Sequence, residues 1–205
     1  ALGLRPTRLG LRFCRLIILA IYFYSGLSKL DVSFSREIGP TFLNALLEPI
    51  GLVPSSWPRR PHTAAILAMP LFESGTAVLL SFRRTRFVGC CCSTLLHLGL
   101  IAILGPWNLN QSTIVLVWNT SMALEVWALF GREPETEEEP EEKRFHPGVP
   151  ILHAALLVPL LEPAGLVDPW PAHALYASHI ERVVIEVPTE ALEVLPTAAR
   201  LTARP

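Results

Sequence analysis

The sequence predicts an all-α membrane protein: a four-helix transmembrane bundle, a fifth, marginal span and an amphipathic surface helix in the first external loop. Three observations predict it. The 205 residues are 51% hydrophobic, with a mean hydropathy of +0.41. Only 17% are charged, against about 25% in soluble domains, and nine of those charges crowd into EPETEEEPEEKR at 133–144. Four apolar runs, Phe13–Leu30, His62–Phe82, Phe87–Leu104 and Ser112–Phe130, approach the ~20 residues that cross a ~30 Å hydrocarbon core. A soluble all-α domain would have to cover these runs with too little polar surface. The net charge of −1, with no basic stripe and no zinc-finger spacing, excludes a nucleic-acid partner. The expected environment is a lipid bilayer.

The elements follow in order. Arg5, Arg8, Arg12 and Arg15 precede or open the first span. The first external loop, Asp31 to Pro61, carries an amphipathic stretch from Pro40 to Leu52 that reads as a short helix on the outer surface. Pro54, Pro58 and Pro61 then break the path, and Trp57 suits an interfacial anchor. The second and third spans are joined by a tight RRTR turn holding Arg83, Arg84 and Arg86; GPWNLNQ, with Trp107, joins the third to the fourth. The positive-inside rule places the N-terminus, the RRTR turn and the acidic linker in the cytoplasm, in an inner or plasma membrane. Lys29, Arg36, Arg59 and Arg60 count against that orientation.

Three parts result: a bundle over 1–131, a solvated acidic linker over 132–148, and a C-terminal part over 149–205. In the last part Val149–Leu166 is a marginal span, interrupted by Pro150, Pro159, Glu162 and Pro163, and an amphipathic tail follows.

Polar residues within the spans are the functional candidates. Glu73 has about ten uncharged residues on each side, and an ionisable group at bilayer depth costs roughly 2.5–3.5 kcal/mol on insertion scales, so it faces a partner or a cavity. Counting ~1.5 Å per residue puts Glu73, His97 and Asn119 at one level near the midplane. There they satisfy one another, bind a quinone carbonyl or relay a proton; helix–helix glue is the plainer role. Glu125 lies nearer the cytoplasmic face and reads as a snorkelling residue. A second cluster, YSGLSKLD, ends the first span. Gly26 permits close helix approach, and Tyr24, Lys29 and Asp31 form an external mouth for an anionic or quinone-like ligand, or else a simple interfacial pair. Cys90, Cys91 and Cys92 are adjacent and Cys14 is remote, so there is no C-x-x-C pair and all four read as packing thiols. His97 and His153 are the only candidate haem ligands; no metal or haem is expected, and quinone is the one cofactor considered.

The segments IYFYSGLSKLD, AMPLFESGTAVLL, the RRTR turn, LLHLGLIAILGPWNLN and VLVWN, spread over Arg12 to Phe130, resemble the MauE/DoxX group of redox-associated membrane proteins. The resemblance implies a four-helix bundle that assists electron transfer to quinone, or thiol and disulfide maturation of partner proteins. In it Glu73, His97 and Lys29 would do the chemistry, and Asn119, Asp31 and Tyr24 would contact the ligand. A non-catalytic membrane subunit or scaffold is the alternative. YSGLSKLD is also similar to the vitamin K-dependent carboxylase-like transmembrane family, in which the lysine matching Lys29 is catalytic.

Overall fold

The computed structural model describes residues 8–131, 148–164 and 166. Gly148 excepted, the expected linker over 132–148 lies outside the described residues, as does the tail from Asp168. The described residues form helices joined by short turns. Four of them, with spans Gly10–Ser28, Arg59–Ser81, Arg86–Leu104 and Thr113–Gly131, are long and apolar enough to cross a membrane. The protein is an all-α, multi-pass membrane protein.

Helix α1 (Arg8–Ser28) ends in a tight turn in which Lys29 N and Leu30 N bond back to Gly26 O and Leu27 O. Asp31 then caps α2 (Val32–Arg36), its Oδ1 accepting from Phe34 N at 2.6 Å, the usual satisfaction of an orphan first-turn donor. Helix α3 (Ile38–Leu47) holds Pro40 in its first turn, where the missing N–H leaves no bond unmade. A short 3-10 turn, Glu48–Ile50, follows and stops at Gly51, whose φ of +83° suits glycine.

The expected surface helix over Pro40–Leu52 is thus shifted and shortened, and its apolar face meets protein rather than lipid. Phe42 packs with Ile103 and Leu104, while Leu43 and Phe34 pack on Ile66. Together α2 and α3 close one end of the bundle.

Helices α4 (Arg59–Ser81), α5 (Arg86–Leu104) and α6 (Thr113–Val126) complete the four spans, α6 running into a π-helical turn at Trp127–Gly131. Neighbouring spans pack in sequence order, α1 on α4, α4 on α5 and α5 on α6. Their shared core includes Ile18, Tyr22, Leu80, Cys90, Met122 and Val126. The two ends are tied differently. At one, Arg15 Nε donates to Leu129 O at 2.8 Å, and Arg15 and Arg86 lie 5.7 and 5.9 Å from the centre of the Phe130 ring. At the other, Asn108 Nδ2 donates to Ala45 O at 2.6 Å, locking the α5–α6 turn to α3.

The fifth hydrophobic segment is a ten-residue helix, α7 (Gly148–Leu157), followed by 3-10 turns over Val158–Ala164. Its apolar stretch, Val149–Leu161, is shorter than the four spans. Pro159 explains the change of helix type, since it lacks the N–H that an α-helix needs there. Helix α7 packs on α1 with Leu152 buried.

Candidate functional site

One face of α1 organises the polar interior. Tyr22, Ser25 and Lys29 recur at a helical spacing of three and four, and all are buried at 2%, 4% and 7% exposure. They rise about 10 Å along the bundle.

At the upper end, Lys29 Nζ donates to Glu73 Oε2 at 2.8 Å and to Ser25 Oγ at 2.7 Å. This pair exists because α1 and α4 nearly touch. A Cβ added at Gly26 would lie 2.6 Å from Pro70 O and 2.8 Å from Ser74 N, so only glycine fits. Ser74 Oγ reaches across to Phe23 O. Gly26 brings the backbones together at Pro70 and Ser74, and Lys29, one turn further along α1, reaches back to Glu73 between them. The two segments YSGLSKLD and MPLFESG are therefore each other's partners.

At the lower end, Tyr22 joins α5 and α6. Its hydroxyl lies 2.7 Å from Ser93 Oγ and 2.5 Å from His97 Nε2. His97 Nδ1 lies 2.9 Å from Asn119 Oδ1, and Asn119 Nδ2 donates to Val115 O at 2.8 Å. The bonding directions follow from that last contact. Because the Asn119 amide nitrogen serves Val115, its oxygen faces His97 and must accept, so Nδ1 carries the proton. A neutral His97 then accepts at Nε2 from the Tyr22 hydroxyl, and Ser93 donates to the Tyr22 oxygen. Four side chains form one directed chain with both imidazole nitrogens engaged.

The placement of the expected residues is mixed. His97 and Asn119 meet, as their common depth implied. Glu73 does not join them: the lysine one turn above on the neighbouring helix takes its carboxylate, because an ion pair stabilises a buried charge better than neutral amide or imidazole contacts do. Lys29 and Asp31 do not form an outward mouth; Lys29 turns inward to Glu73, and Asp31 caps α2. Tyr24 points away from this column and donates its hydroxyl to Leu156 O of α7 at 2.8 Å.

Tyr22, Ser25 and Ser93 were missed by reading the sequence. The signal was present in the helical period: stepping back from Lys29 by four and then three reaches Tyr22, not Tyr24, and Ser93 precedes His97 by four. Among the described residues no cluster of metal-ligand type occurs. Cys14, Cys90, Cys91 and Cys92 are all free thiols, Cys90 fully buried and Cys14 exposed.

Four apolar spans around a buried polar column define the class: a polytopic membrane protein with ionisable groups held inside its bundle. The family model described as methylamine utilisation protein MauE matches residues 7–115, over half of the chain. The chain belongs to the MauE family. The match takes in Tyr22, Lys29, Glu73, Ser93 and His97 and ends just before Asn119. It supports neither the DoxX half of the resemblance nor the carboxylase-like one, so Lys29 is not carried forward as a carboxylase residue. Neither the comparison with curated proteins nor that with solved structures gives a match.

Proposed function

We propose that this MauE-family protein assists the redox chemistry of a partner protein, and that its own contribution is to take up and pass on protons. The observation that carries the reading is two polar clusters set one turn apart on one face of α1, Lys29 with Glu73 and Ser25, and Tyr22 with Ser93, His97 and Asn119. Ionisable groups inside a bundle are costly and mark proton or ligand paths. Oxidation of two thiols to a disulfide releases two electrons and two protons. In this reading the Glu73 carboxylate and His97 receive the two protons, while the two electrons pass through the partner to a quinone, which is reduced to the quinol.

Thiol exchange by the chain itself is disfavoured by the cysteine pattern, since no two are spaced as a reactive pair. A quinone bound among His97 and Asn119 is disfavoured as well. Both ring nitrogens and both ends of the amide already hold partners, so a ring carbonyl would have only the second Asn119 amide N–H to meet. A quinone therefore enters only as an electron acceptor outside this network. Placement in an inner or plasma membrane with the N-terminus in the cytoplasm completes the proposal, on the strength of the arginines in the first and RRTR segments.

The competing reading is a scaffold subunit whose polar groups only hold the helices together, favoured by the mutual pairing of those groups across helices. Alkylation trapping of exported cysteine-rich proteins in cells separates the two. Cells carrying Tyr22→Phe, or the paired substitution Lys29→Met with Glu73→Leu, in place of the wild type should accumulate those proteins in reduced form, with the variant present in the membrane at normal level. An unchanged thiol pattern at normal variant levels would leave only the scaffold.

A further inference from the structure

Glu125 stands apart from that column. It lies in the span Thr113–Gly131, six residues before its end, or about 9 Å along the axis. The residue is exposed, and among the described residues its carboxylate has no hydrogen bond or ion pair. We propose that this side of α6 is the docking surface for a transmembrane helix of a partner protein, one carrying a lysine or arginine at the depth of Glu125.

An ionisable group on the lipid side of a span is expensive and is found paired. Snorkelling to the headgroups belongs to the long stems of lysine and arginine; glutamate has only two methylenes to cover the distance. A cationic side chain on a neighbouring helix removes the cost by direct pairing.

Ile114, Trp118, Ser121, Glu125 and Ala128 follow one another at intervals of four, three, four and three, the spacing of a left-handed helix–helix seam. Ile114 is 79% and Trp118 47% exposed, Glu125 and Ala128 are exposed, and Ser121 is half-buried. The buried residues of α6, Asn119, Met122 and Val126, lie on a different face. Its contact with α5 is on the side of Trp127, whose indole N–H donates to Thr94 Oγ1. Glu125, two residues earlier, projects to nearly the opposite side. Ser121 and Ala128 flank the carboxylate with small side chains, which lets a second backbone come close enough for pairing.

A second copy fits this seam poorly. Two identical chains packed through this seam about a twofold axis would set Glu125 against Glu125. Like charges at low dielectric repel strongly. The seam therefore fits a different protein.

The test uses the full chain in liposomes, labelled for energy transfer to synthetic transmembrane peptides. The peptides share a leucine–alanine helix and differ at one position matched to the depth of Glu125, which is lysine, leucine or glutamate. The lysine peptide should associate at least about tenfold more tightly than the leucine peptide, a difference a single pairing can supply. Glu125→Gln should abolish that preference, and Glu125→Lys should transfer it to the glutamate peptide. Ser121→Leu should weaken the lysine peptide while leaving helix content and thermal unfolding unchanged. Equal affinity for all three peptides overturns the proposal, as does a lysine preference that survives Glu125→Gln. Energy transfer between two copies of the chain that Glu125→Gln removes would also overturn it, in favour of self-association.

Discussion

Lys29 and Glu73 are paired at 2.8 Å between α1 and α4, with side chains only 9% and 14% exposed. Each is the charge at bilayer depth that its own segment could not have carried alone. The pair also sits at a close approach of the two backbones, with Glu73 beside the Gly26 contact and Lys29 one turn beyond it. Charge pairing and backbone contact thus reinforce one another, and both lie within the segment that the family match covers.

Removing one partner of this pair should be far worse than removing both. Lys29→Met or Glu73→Leu leaves a charge buried without a counter-charge, at a cost of about 3–5 kcal/mol. The double substitution Lys29→Met with Glu73→Leu should recover most of that loss. Denaturant unfolding in detergent micelles checks this, and a double variant no better than the singles would show that the pair is not the source of the stability.

Gly26→Ala should separate α1 from α4 and weaken the Lys29–Glu73 contact, because the new methyl meets backbone atoms, Pro70 O and Ser74 N, as well as the Ser74 hydroxyl. A clash of this kind typically costs about 1–3 kcal/mol. Gly75→Ala on the same helix pair is the control, since nothing lies within 4 Å of its added Cβ. Comparable melting temperatures for the two variants would contradict the close-approach argument.

The network fixes the His97 tautomer. Nitrogen-15 shifts of a selectively labelled sample should show the neutral ring protonated at Nδ1, with Nε2 as acceptor. Asn119→Leu should leave Nδ1–H buried without its acceptor, destabilising the protein by about 1–3 kcal/mol and shifting the population toward the Nε2-protonated form. An Nε2-protonated ring in the wild type would reverse the directions assigned along the chain.

The thiols should differ in reactivity according to burial. In membranes treated with N-ethylmaleimide, Cys14 should be modified first, Cys91 and Cys92 more slowly, and Cys90 only after unfolding. Mass spectrometry of the labelled peptides gives the order. Early modification of Cys90 would mean that the α4–α5 interface opens in the native protein.

Topology is tested independently of mechanism. A fluorescent-protein fusion at the N-terminus should fold and fluoresce in the cytoplasm, whereas a reporter active only after export should work when inserted beside Gly51. The opposite result would invert the proposed orientation, leaving the bundle itself unaffected.

How much was legible in advance depended on whether the physics was local. Span number followed from length and hydropathy, because the bilayer imposes a thickness that each helix must meet by itself. Depth arithmetic brought His97 to Asn119, since rise per residue is fixed within a helix. Depth alone could not choose among partners at similar levels. It grouped Glu73 with His97, whereas rotation about the axis and the approach at Gly26 gave Glu73 to Lys29. Tyr24 was taken for Tyr22 for the same reason: two positions apart in sequence, they face nearly opposite sides of α1. The outer helix was legible as amphipathic, but the sequence did not reveal whether its apolar face would meet lipid or Ile66, Ile103 and Leu104.

An α-helical membrane protein, the course of its four spans and the need of a buried charge for company are all written into the individual segments. Those properties are set by hydrogen bonding and transfer energies within one segment. Which charge keeps company with which is a property of the folded bundle. It paired Lys29 with Glu73 and built Tyr22, Ser93, His97 and Asn119 into one chain, because contact between helices depends on their rotation and separation, which no single segment encodes.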